Sequence, residues 1–192
     1  PHGAAPPTTQ VGAPPPSPVQ HGLSTAQVGA LTTAQGQKGL TTDQVVALST
    51  AQVAALETRD VAALSTAQVA ALTTTQVQQG LSTGQVVALT TAQAQQGLTT
   101  AQVQALSTAQ VAAMETRDLI ALGTAQVVAL TTTQVQQGLT TAQVASLTTT
   151  QVGALTTSQV QQGLSTAQVV ALTTAQVQTG LTTAQVQALS TA

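Results

Sequence analysis

An eight-residue phrase constrains this chain more than any other feature. It reads L-S-T-A-Q-V-A-A from Leu48 to Ala55, restarts at Leu56, and recurs with small changes almost to Ala192. As backbone chemistry it is a helix start written many times. Ser49 is placed to be an N-cap, and Gln52, three residues on, can reach back to the cap N–H in the S-x-x-Q form of a capping box. Leu48 before the cap and Val53 at the fourth helical position have the spacing of a hydrophobic staple, so both signals mark the same boundary. A single continuous helix fits the period less well. Leucines every eighth residue advance by about 80° per repeat, so the apolar stripe winds round the rod and faces no one partner. The phrase therefore predicts helices of about a turn and a half joined by tight corners.

The units come in two lengths. Most have eight residues, as at Leu40, Leu48, Leu56, Leu64 and Leu72, and at intervals a nine-residue unit ends on a glycine: Gly39, Gly80, Gly97, Gly138, Gly163 and Gly180. These glycines are expected to be left-handed C′ caps of Schellman type, making corners of a different angle. A longer repeat lies on top. Residues 22–79 align without a gap on residues 80–137 with 11 differences, and each copy carries one charged insertion, Glu57-Thr-Arg-Asp60 and Glu115-Thr-Arg-Asp118. Internal repetition of this kind means a solenoid or array. The domain reading is a Pro-rich arm or linker over 1–21, then an octapeptide-repeat solenoid over 22–192, with 138–192 a partial continuation of the duplication.

The arm holds all seven prolines and no Lys, Arg, Asp or Glu, which suits an extended polyproline-type segment and lacks the pattern of a secretory signal. With no initiator Met, the chain is expected to be a processed form or a fragment. It stops inside a phrase at Ser190-Thr-Ala, and that open end is expected to dock another chain. With 42% of residues apolar but no Phe, Tyr, Trp or Cys, the core is expected to consist of Leu, Val and Ala under a surface of Thr, Ser and Gln. One octad buries too little apolar surface to offset the entropy of ordering it, so neighbouring units must stack.

No group of residues forms a chemical site. His2 and His21 lie in the arm without Cys or paired carboxylates, short of a metal ligand set. Glu57 with Asp60, and Glu115 with Asp118, each place two carboxylates three apart beside Arg59 or Arg117. A neighbouring guanidinium favours ionised carboxylates, the opposite of what a general acid requires, and the clusters are read as solvated charges fixing register between stacked repeats. Ser and Thr have no base beside them and are read as caps. No phosphate-cradling glycine motif is present. Three basic residues and no aromatic ring argue against nucleic acid, and no apolar run approaches a membrane span. No catalytic, cofactor-binding or metal residue is assigned, the chain is read as not an enzyme, and no cofactor or small-molecule substrate is expected.

The tandem phrase L-[ST]-T-x-Q-V-x-A-L resembles the octapeptide-type repeats of very large secreted or surface-associated bacterial proteins, over residues 22–192 and without transferring any site. Leu40-Thr-Thr-Asp-Gln-Val-Val-Ala-Leu48 is also similar to the opening of the repeats of transcription-activator-like effectors, but their base-reading pair and basic stripe are missing. The fold expected is an all-α repeat solenoid of very short capped helices in eight- and nine-residue units, with a β-solenoid as the alternative because Thr and Val favour strands. The function expected is a structural protein, extracellular or on the cell surface, whose partner is itself, polymerising into a filament or matrix fibre through solenoid ends and arm. Its alternatives are a monomeric spacer or length ruler, and a threonine ladder that binds ice or a repeating polymer.

Overall fold

The computed structural model describes residues 24–190, so the expected arm over residues 1–21 lies outside the described residues. Within them the chain forms twenty short helices and no strand, an all-α repeat architecture rather than a β-solenoid. A representative unit is the helix Thr50–Ala55. Ser49 sits in extended backbone, its Oγ accepts from the Gln52 N–H, and its own N–H donates to Gln52 Oε1 at 2.7 Å. The helix ends when Leu56 leaves the helical region for φ −61°, ψ 136°, though its N–H still donates to the Val53 carbonyl at 3.2 Å. The next cap, Glu57, is extended too. Each corner is thus a leucine and a cap residue, two extended residues between two helices.

The nine-residue units correct one expectation. No described glycine, and no other described residue, has a positive φ, so these glycines are not left-handed caps. The additional residue is taken up inside the helix as a π-turn, as over Gln76–Gly80, where the Leu81 N–H reaches back five residues to the Gln76 carbonyl at 3.0 Å. Leu98 to Gln93, Leu139 to Gln134 and Leu181 to Gln176 repeat this bond at 2.8, 2.9 and 2.8 Å. From Gly80 onward these glycines sit tightly against another turn, whereas Gly39 meets only Gln35 of its own helix, at 3.9 Å. A Cβ on Gly80 would lie 3.0 Å from the Cβ of Val53, and on Gly138 3.0 Å from the Cβ of Val111. There the helix passes so close to the turn below that a side chain would force the valine to shift.

Successive turns stack with a constant offset. Each unit packs against the third unit before it, as the π-turn Gln134–Gly138 does on the helix Thr108–Ala113. From Gln68 onward the glutamine near the helix start reaches the last residues of the fourth unit before it: Gln134 meets Val103 and Leu106. One superhelical turn therefore takes between three and four units, and the leucine carbonyl met by each glutamine lies 28 to 30 residues back. The 58-residue duplication is two such turns, which puts its two charged insertions on one side of the stack.

The core is a column of Val and Leu, from Val28 and Leu40 to Val160 and Leu164, each buried. Alanine enters it at Ala94, in a valine position, but is not its regular third constituent. Ala51 and Ala54 are exposed and Ala55 only half-buried, whereas Gln52, Gln68, Gln85 and Gln102 are buried with the valines. The surface reading for glutamine holds for the second and third glutamines of the nine-residue units, such as Gln78 and Gln79, and for Gln27 and Gln35 in the first described turn, but not for the helix-start glutamines from Gln52 onward.

Candidate functional site

The repeated element with chemistry of its own is the column of buried glutamines. Gln110 is typical. Its Oε1 accepts the Ser107 N–H at 2.8 Å, which completes the cap, and its Nε2 donates to the carbonyls of Val77 at 2.7 Å and Leu81 at 2.6 Å in the turn below. Only one orientation of the carboxamide satisfies both ends, since the cap offers a donor and the lower turn offers acceptors. From Gln68 to Gln185, each ladder glutamine bonds the carbonyl of the leucine, or of Met114, at the equivalent corner. The bonded corner carbonyls would otherwise be buried acceptors without donors, a deficit of about 1–3 kcal/mol each. Thus one side chain per unit closes the local cap and fastens the turn to its predecessor.

The ladder is interrupted at two rungs, the charged insertions. Asp60 and Asp118 occupy the glutamine position at the third residue of the helices Thr58–Ala63 and Thr116–Ala121. They are not solvated, as the sequence led one to expect, but 0% and 1% exposed. The Asp118 Oδ1 accepts from the Thr91 hydroxyl at 2.8 Å, and the Asp60 Oδ1 from the Thr33 hydroxyl at 3.1 Å. The Oδ2 atom of each has no hydrogen-bond partner. The cap residues Glu57 and Glu115 make no side-chain cap bond. They turn outward instead: Glu57 Oε2 lies 3.0 Å from Arg59 Nη2 and Glu115 Oε2 2.8 Å from Arg117 Nε, on guanidinium groups 64% exposed. Arg59 Nε also stands 3.7 Å from Asp60 Oδ1, and Arg117 Nε 3.6 Å from Asp118 Oδ2. So each cluster has a solvated half and a buried half, and its two carboxylates do not face each other as an acid–base pair. The arrangement holds a fixed charge in the stack and offers no proton-transfer geometry.

His2 and His21 lie outside the described residues. Among the described residues no three His, Cys, Asp or Glu side chains come together as a metal-binding group, and no helix is long and apolar enough to cross a membrane. The ladder glutamine was open to discovery from the sequence. Gln recurs at the third helical position of unit after unit, while the position two residues later changes freely among Val46, Ala54 and Gln104. A residue repeated so strictly has more to do than close its own cap.

Comparison with known families finds the ALTTAQ repeat, matched twice, over residues 53–91 and 111–149. The two matches are offset by the 58 residues of the internal duplication, and each spans one charged rung. No curated protein and no solved structure matches the chain. Tandem matches to a repeat family, on a stack of like helical units, identify a structural repeat protein.

Proposed function

We propose that this chain is a secreted or surface-associated protein that assembles with copies of itself into a filament or matrix fibre. The observation that carries the reading is the polarity of the ladder. In every interior turn the glutamine N–H groups point toward the turn before and the corner carbonyls toward the turn after. A stack built this way presents donors in one direction and acceptors in the other. Contacts between unlike faces of that kind are heterologous, and where the rotation does not close they propagate as open filaments. Eight charged residues in 192 leave little electrostatic repulsion between copies. The extracellular or surface location rests on the likeness of the octads to those of large bacterial surface proteins. The Pro-rich segment over residues 1–21 is assigned the role of an arm lying on the neighbouring copy.

Sedimentation velocity on the intact chain and on a form lacking residues 1–21, followed by interference because the chain has no aromatic residue, tests this. Large species from the intact chain and a monomer from the shortened one are the expected result. Polymers from both would retain the filament and retire the arm. Elongated monomers from both would overturn the reading in favour of a spacer of fixed contour length.

A further inference from the structure

We propose that each charged rung binds a hard, oxygen-preferring cation between the buried carboxylate of Asp118 and the Leu89 carbonyl, and likewise between Asp60 and the Leu31 carbonyl. The reason is an inversion of polarity at these two positions. At the flanking rungs Gln110 gives an N–H to the Leu81 carbonyl and Gln126 gives one to the Leu98 carbonyl, 29 and 28 residues back. Asp118 stands at the same register above the Leu89 corner, and its bond to the Thr91 hydroxyl, two residues further on, holds it to that segment of the turn below. An ionised aspartate has nothing to donate. Where the flanking rungs supply a donor this one supplies acceptors only, and the Asp118 Oδ2 is both buried and without a hydrogen bond. The same inversion, with the same orphaned Oδ2, recurs at Asp60.

Charge points the same way. Each cluster has two carboxylates and one guanidinium, and because Lys38 and Asp43 offset one another, the two clusters hold the whole net charge of −2. The guanidinium does not complete the rung. Arg117 is mostly exposed, its Nε is 2.8 Å from Glu115, and it stays 3.6 Å from Asp118 without a hydrogen bond to Oδ2. The Thr91 hydroxyl spends its proton on Oδ1 and keeps lone pairs. The elements packed on the helix Thr116–Ala121 are Gln93–Gly97 and Thr141–Ser146, which contain no charged residue. At the first rung the packed segment Gln35–Gly39 carries Lys38, replaced by Gln96 in the second copy, so the Asp118 rung should bind more tightly. Carboxylate, carbonyl and hydroxyl oxygens with no nitrogen or sulfur select calcium or sodium rather than a transition metal. This proposal is independent of whether the chain polymerises.

Thermal unfolding followed by circular dichroism provides the test. The chain is freed of metals with a chelator and compared in choline chloride, NaCl, KCl and CaCl2 at one ionic strength, beside the D60Q/D118Q and D60N/D118N variants. The wild type is expected to gain about 3–5 °C in the salt of its cation over choline chloride. D60Q/D118Q, in which every rung donates, should show none of that gain. A response to CaCl2 alone identifies a divalent site, one to NaCl but not KCl a sodium site. Calorimetric titration of the wild type with the responding salt should approach two ions per chain. Wild type and both variants shifting in parallel in every salt, or D60N/D118N retaining the selective gain, would overturn the proposal.

Discussion

Gln110 and Asp118 occupy the same position in consecutive units, third in a six-residue helix above a leucine corner of the turn below, yet only one of them fastens that corner. Backbone and burial are alike, so the difference is one of proton count. Gln110 brings an acceptor for its cap and two N–H bonds for the lower turn. Asp118 brings acceptors only, takes a threonine hydroxyl in place of the carbonyls, and leaves its own cap to a glutamate that turns outward. The comparison teaches that in this fold one side chain serves both local helix initiation and long-range stacking.

The most direct way to break that comparison is Gln110→Leu. It leaves the Ser107 N–H and the Val77 and Leu81 carbonyls without partners, and a loss of about 3–5 kcal/mol is expected in denaturant unfolding. A loss under 1 kcal/mol would mean that the ladder bonds are incidental to stacking. Next in size is Gly138→Ala, whose Cβ would meet Val111 at 3.0 Å and should lower stability by about 1–3 kcal/mol. Its control is Gly123→Ala, where the nearest atom is Gln126 Oε1 at 3.5 Å, an ordinary contact. Ser107→Ala removes the cap acceptor while keeping Gln110, and should lower stability by about 1 kcal/mol. Were it as damaging as Gln110→Leu, the long-range half of the glutamine would contribute nothing. Asp118→Gln carries the opposite sign. By restoring a donor at the Leu89 corner it is expected to raise the unfolding midpoint in cation-free buffer by the equivalent of about 1 kcal/mol. The smallest effect is expected at Gly123, a cap without a side chain: Gly123→Ser completes the reciprocal box with Gln126 and should add a few tenths of a kcal/mol.

Much of this fold was legible in residues 22–192. The capping box and the staple marked each helix start, as Ser49, Gln52, Leu48 and Val53 bear out, and the octad period argued against a continuous helix. Capping is visible in sequence because donor and acceptor lie three residues apart. The positions of the glycines are legible in the sequence, but their conformation is not. A left-handed cap and a π-turn both place glycine at a helix end, and what presses on Gly80 and Gly138 is Val53 or Val111 in another turn of the stack. The burial of Asp60 and Asp118 is not legible in the sequence for a similar reason. Glu57, Arg59 and Asp60 are neighbours in sequence, and nothing local says that Asp60 alone turns inward to Thr33, 27 residues away.

The division follows from the range of each interaction. By itself the sequence determined what closes within one octad: where helices begin, how long they run, that they repeat, and that a single unit cannot stand alone. The tertiary structure decided what depends on the offset between turns: the stacking of each unit on the third before it, the burial of glutamine, the close contacts at glycine and the isolation of two aspartates. Each octad is nearly the same as the next, so its sequence is compatible with many offsets. Only the fit of carboxamides to carbonyls some 29 residues away selects one of them.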